Sequence, residues 1–142
     1  MEYVKQTLRP RPDAVETLSR LKADGYKTGL LSNCSIEIPL LWPQTPFANL
    51  IDTPTFSSRV RMKKPDIRIY HLACERLGVI SDSCLYIADG ENHELTAAAK
   101  VGLHSVLIRP SQKTRGESRQ EANEWQGTTI ARLTEILQLV RL

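Results

Sequence analysis

Apolar and polar positions along this chain follow two alternating rhythms, one of amphipathic helix and one of short buried strand. Behind Pro12, the residues Ala14, Val15, Leu18 and Leu21 recur at helical spacing and Gly25 supplies a stop, which predicts a helix from about 12 to 24. Tyr26 to Ser32 then predicts a strand, whose apolar end Gly29-Leu-Leu31 gives way abruptly to the polar run from Ser32 to Ser35. Between 36 and 62 the pattern is irregular, interrupted by Pro39, Pro43, Pro46 and Pro54, with a brief strand expected at Phe56 to Ser58. Pro65 is expected to open a helix carrying Ile69, Tyr70, Ala73, Cys74 and Leu77 on one side, closed by Gly78.

Cys84 to Ala88 reads as a continuous apolar strand, Asn92 to Val101 as a helix rich in small residues, and Ser105 to Ile108 as another apolar strand. Residues 110 to 128 are polar and aperiodic and predict a surface loop pinned by Trp125. Ile130, Leu133, Ile136, Leu137 and Val140 predict a terminal amphipathic helix. Short apolar strands separated by helices imply a parallel sheet covered on both faces: a three-layer α/β/α, Rossmann-like architecture with right-handed crossovers.

Bulk properties narrow the class. A length of 142 residues suits a single domain spanning 1–142, and 41% hydrophobic with 25% charged content is ordinary for a folded protein. The net charge of +3 is mild and the basic residues are interspersed with acidic ones, which argues against a nucleic-acid partner. Cys34, Cys74 and Cys84 form an odd set without C-x-x-C spacing, which speaks against a disulfide framework or a structural zinc site and suits a reducing cytoplasm. No apolar run approaches the length of a membrane span.

The chemistry gathers where strands end. Ser32 offers a hydroxyl and, with Asn33, backbone N–H groups that can hold phosphoryl oxygens, and Asn33 is also a candidate substrate contact. Lys64 is a compact cation near a helix start, suited to neutralising a phosphate and an adjacent carboxylate. Asp89 offers hard carboxylate oxygen to a cation such as Mg²⁺, and Glu94, five positions on, suits either a metal-bound water or anchorage of the loop. Each signal alone has a plainer explanation: a Ser-rich turn or helix cap, a solvated lysine, a common Asp-Gly turn. His93 reads as an exposed histidine, and Cys34 as an unreactive thiol.

In their order and placement, these pieces resemble the haloacid dehalogenase-like (HAD) hydrolase superfamily over roughly residues 10 to 140. The run from Gly29 to Ser35 resembles its second motif, an apolar strand ending in Ser or Thr. Lys64-Pro-Asp66 with Ile69 and Tyr70 resembles the third, and Tyr86 to Leu95 with Ala97, Ala98 and Gly102 the fourth. The resemblance implies Mg²⁺-dependent phosphoester hydrolysis through a phosphoaspartate, with a small phosphorylated substrate. It also implies Ser32 orienting the phosphoryl group, Lys64 neutralising charge, and Asp89 with Glu94 serving the metal.

The superfamily's first motif, an Asp-x-Asp pair closing a first, central strand, has no visible counterpart, since Asp13 starts a helix and Asp24 ends the same one. The expectation is therefore a HAD-like core truncated at its amino terminus, without a cap domain and inactive alone. A gap of about two strand spacings, near 9 to 10 Å, is expected between the strands of the second and fourth motifs. Either those strands close up and pair, or a second copy or complementing segment fills the space. The alternative function is a non-catalytic HAD-like binding or oligomerising domain. Two further departures are Arg61, where the family often has Gly, and Ile67, where Pro is frequent.

Overall fold

The structure is a computed structural model that describes residues 13–109 and 120–140. Helix α1 (Ala14–Ala23) closes with Gly25 at φ +87°, and the Tyr26 and Gly25 N–H groups donate back to the carbonyls of Leu21 and Lys22. That left-handed glycine closure consumes Tyr26. Strand β1 accordingly begins only at Gly29 and runs to Ser32, three residues later than the apolar pattern suggested. Asp13 stands just before α1, its carbonyl accepting from Thr17 and its carboxylate from the Thr134 N–H, so it ties two elements together away from any strand end.

A short helix α2 (Glu37–Leu41) and a turn of 3₁₀ helix lead to β2, which is Thr53–Phe56 rather than the expected Phe56 to Ser58. Pro54 lies inside it. β2 pairs with β1 in parallel and borders nothing else among the described residues, so an edge strand accommodates the proline that a central strand would not. Ser57 instead starts helix α3 (Ser57–Val60), which ends on Arg61 in left-handed conformation, φ +58°. Here lies the physical reason for the usual glycine at this place.

Helix α4 covers Ile67–Leu77, two residues short of the start expected at Pro65. Asp66 is its cap, accepting from the Arg68 N–H at 2.9 Å, so Ile67 occupies the first helical position, where a proline is readily tolerated. β3 (Leu85–Ala88), α5 (Glu94–Lys100) and β4 (His104–Ile108) follow as expected.

Beyond the strand β4 two expectations fail. Gln120–Glu124 forms a helix, α6, and Thr129–Ile130 forms a strand, β5, pairing in parallel with β4. The rest of the expected loop, 110–119, falls outside the described residues. The terminal helix, α7, is confined to Ile136–Leu139 after a 3₁₀ turn at Leu133–Glu135. The carboxylate of Glu121, on α6, accepts from the Leu95 and Thr96 N–H groups and from the Thr96 hydroxyl, satisfying the start of α5. Tertiary partners, not local periodicity, stabilise these short elements.

Alternation along β3 and β4 divides the core into two faces. Leu85, Ile87, Val106 and Ile108 pack with Leu21 of α1 and with Ile136 and Leu137 of α7. Tyr86 turns the other way, to Ile69 and Tyr70 of α4 and to Ala97 and Ala98 of α5. The architecture is a three-layer α/β/α arrangement of parallel strands. Among the described residues the strands form two groups, β1-β2 and β3-β4-β5. Among these residues β1 and β3 do not pair with each other, and a cavity of about 360 Å³ is lined by residues of both.

Because a left-handed residue with a Cβ costs about 1 kcal/mol, Arg61→Gly is expected to raise the urea unfolding midpoint by about that much stability; no change would show that the arginine side chain compensates the strain.

Candidate functional site

The cavity between β1 and β3 gathers the strand-end residues singled out by the sequence. Its lining includes Ser32 and Asn33 beyond β1, Lys64 before α4, Asp89 beyond β3, and Glu94 at the start of α5. The carboxyl ends of parallel strands are where an α/β sheet places ligands, because loops there diverge and leave space. Ser32 and Asp89 are both half-buried.

Glu94 organises this group. Its side chain is 3% exposed, and both carboxylate oxygens accept two hydrogen bonds each. Oε1 receives the Lys64 ammonium at 2.7 Å and the Tyr86 hydroxyl at 2.9 Å, while Oε2 receives the Gly90 and Glu91 N–H groups at 3.1 and 2.8 Å. A buried carboxylate needs this degree of pairing to remain charged. The two bonds to Gly90 and Glu91 hold the loop carrying Asp89 against the start of α5, which is the anchoring role that the sequence left open for Glu94.

Lys64 is itself held at both ends. Its ammonium lies 5.8 Å from the centroid of the Tyr86 ring as well as against Glu94. Its backbone is clamped by Asn33, whose Oδ1 accepts from the Lys64 N–H at 2.8 Å and whose Nδ2 donates to the Lys64 carbonyl at 3.1 Å. The side chain expected to touch substrate thus joins the loop after β1 to the loop before α4. Cys34 is engaged as well, its N–H donating to the Ser57 hydroxyl at 2.9 Å. His93 is exposed, in keeping with its plain reading.

Two tyrosines belong to the site that strand and helix patterns alone did not single out. Tyr70, fully buried on α4, donates to the Glu94 carbonyl at 3.0 Å and packs edge-on against Tyr86 with centroids 5.5 Å apart. Burial first, and the Glu94 charge second, push the ionisation of both phenols upward, so both stay protonated donors. The available signal was spacing: a tyrosine three residues before Asp89 faces the layer that holds Lys64, opposite Ile87.

A family model described as haloacid dehalogenase-like hydrolase matches residues 1–102. The chain belongs to the haloacid dehalogenase-like hydrolases. It is 34% identical over 98 residues to (S)-2-haloacid dehalogenase 4A of Burkholderia cepacia, a match covering 68% of this chain and 42% of that protein. With glyceraldehyde 3-phosphate phosphatase of Methanothermobacter thermautotrophicus it shares 29% identity over 135 residues, covering 93% and 58% respectively. Among solved structures, a HAD phosphatase from Thermococcus onnurineus superposes with a TM-score of 0.79 at 23% identity, over 98% of this chain and 63% of that one, a likeness of fold. The chain spans about half the length of the curated relatives it matches. No helix among the described residues is long and apolar enough to cross a membrane.

Replacing the Glu94 carboxylate removes the charge partner of the half-buried Lys64 ammonium, so Glu94→Gln is expected to cost about 3 kcal/mol in urea unfolding. Tyr86→Phe, which removes one neutral donor, should cost about 1 kcal/mol, and equal losses would show that the charge is not what matters.

Alkaline stability gives a second check. The unfolded tyrosines lose their protons near the ordinary value of 10.0 while the folded ones keep theirs, so the unfolded state binds fewer protons and stability falls as pH rises past that point. The fall should be shallower in Tyr86→Phe, and an unchanged slope would place the sensitivity elsewhere.

Proposed function

We propose that this chain forms the phosphate-orienting, lysine and cation-binding part of a Mg²⁺-dependent phosphoester hydrolase. The single observation that carries the reading is the convergence of Ser32, Lys64 and Asp89, from three separate loops, on one cavity at the strand ends. Ser32 and the backbone N–H groups beside it would receive phosphoryl oxygens, with Asn33 fixing the loop from which they point. Lys64, positioned by Glu94 and Tyr86, would neutralise charge on the phosphoryl group and on an attacking carboxylate.

The donor chemistry suits Mg²⁺, which binds through one or two hard carboxylates and otherwise keeps water and phosphate oxygens. Asp89 would hold it, since Glu94 already spends both oxygens on Lys64, Tyr86, Gly90 and Glu91. The ion would supply charge neutralisation at the phosphoryl oxygens. The attacking carboxylate, which would form the phosphoaspartate, comes in this reading from a part of the protein outside residues 13–140, and the substrate is a small phosphate ester.

A second reading, dehalogenation of a 2-haloacid, draws on the 34% identity to a dehalogenase. Asp89 favours the phosphoryl reading, because a carboxylate facing a leaving halide repels it, whereas one holding a cation assists a phosphate.

Inorganic phosphate titrated in the presence of Mg²⁺ should shift the NMR amide signals of Ser32, Asn33 and Asp89, and Lys64→Met should abolish the shifts. The same chain should not turn over p-nitrophenyl phosphate. Silent amides would overturn the phosphate site, and turnover lost in Asp89→Asn would overturn the need for an outside carboxylate.

A further inference from the structure

A second concave surface lies beside the loop that carries Lys64. Lys64 and Asn33 line the cavity at the strand ends, whereas Lys63 and Pro65, on either side of Lys64, line a groove of about 510 Å³ together with Ser57, Ser58, Arg61 and Met62. The wall between the two is a single loop. The Cys34 N–H donates to the Ser57 hydroxyl at 2.9 Å, and Asn33 clamps the Lys64 backbone, so the groove is fastened to the segment that presents Ser32.

Charge in the groove is unbalanced. Residues 57–68 carry Arg59, Arg61, Lys63, Lys64 and Arg68 against Asp66 alone. Lys64 is paired with Glu94, and Asp66, which also borders the groove, accepts from the Arg68 side chain at 2.7 Å and from its N–H at 2.9 Å. Arg61 and Lys63 are exposed, and among the described residues neither side chain has an ion pair or a hydrogen bond. Two cations at one concavity repel each other, and an anion placed between them removes that repulsion. Arg61 supplies an independent sign. Its left-handed backbone, φ +58°, is costly for a residue with a Cβ, and no polar contact of its side chain among the described residues offsets that cost. Strain retained without such compensation points to a ligand.

We propose that this groove binds a second anionic group, a phosphate or a carboxylate, carried on the same small ligand whose phosphoryl group lies at Ser32 and Lys64. Arg61 offers a planar fork that matches the paired oxygens of either group, and Lys63 adds a second positive charge. Met62 and Pro65 form an apolar wall for the hydrocarbon spacer between the two anions. Arg61 and Lys63 are then specificity residues, favouring substrates with two anionic ends over phosphate esters that carry none beyond the phosphate. The inference rests on the phosphoester reading above and names the substrate class for it.

The test titrates the full 142-residue chain with two ligands in Mg²⁺, butyl phosphate and the terminal bisphosphate of butanediol. Butyl phosphate should shift the NMR amide signals of Ser32 and Asn33. The bisphosphate should shift those and the amides of Arg61 and Lys63 along one common curve, and bind at least about tenfold more tightly, because its second anion is tethered. Arg61→Gly, which suits the left-handed backbone, and Lys63→Gln should together bring the two affinities level. Equal affinities in the unaltered chain, or a bisphosphate preference that survives both substitutions, would overturn the subsite. Shifts at Arg61 and Lys63 caused by butyl phosphate with a midpoint of their own would overturn the shared ligand in favour of an independent anion site. Silence at Ser32 and Asn33 with both ligands would instead overturn the phosphoester reading, and the subsite with it.

Discussion

One carboxylate holds the candidate site together. Glu94 accepts from Lys64, Tyr86, Gly90 and Glu91, and through them fixes the loop before α4, the strand β3 and the loop beyond it in one arrangement. Burial makes this arrangement obligatory: at 3% exposure a charge has no water to fall back on, so each donor must be in place. The clamp of Asn33 on the Lys64 backbone extends the same connection to β1. The arrangement of the strand ends therefore depends on one contact that reaches into the sheet only through Tyr86 of β3.

That connection spans a gap. Among the described residues the strands on either side of the cavity share no ladder, and they are joined by the side-chain bridge at one end and by α4 along one face. Apolar packing spans both halves: β3-β4-β5 lies between α1, α7 and α5, while Leu31 of β1 and Tyr86 of β3 join one cluster with Ile69 and Tyr70 of α4. Hydrogen bonding at the mouth is directional and apolar packing is not, so the polar bridge fixes how the loops at the strand ends are oriented.

Family membership and site chemistry bear on each other through this arrangement. Matches to a dehalogenase and to a phosphatase show how widely one core is used, and the residues at the strand ends carry the difference. Here Asp89 and the half-buried, doubly held Lys64 line one cavity, and on that the proposed phosphate and cation site rests.

The sequence by itself determined the parallel α/β class, the positions of α4, β3, α5 and β4, and the three strand-end groups, because each rests on local signals: helical spacing, an apolar run of strand length, a polar switch where the run stops. It also marked Arg61 as unusual, and the left-handed backbone there gives the reason. What only the tertiary structure decided depends on partners distant in the chain. The strand at Thr129–Ile130 and the helix at Gln120–Glu124 carry too few residues for periodicity to register, and they form because β4 and the start of α5 offer them hydrogen bonds. The proline in β2 is admissible because that strand is an edge, a fact of pairing rather than of composition. Whether Glu94 served a cation or its own loop, and whether Asn33 faced substrate or Lys64, turned on which donors folding brought within about 3 Å, and no spacing along the chain encodes that distance.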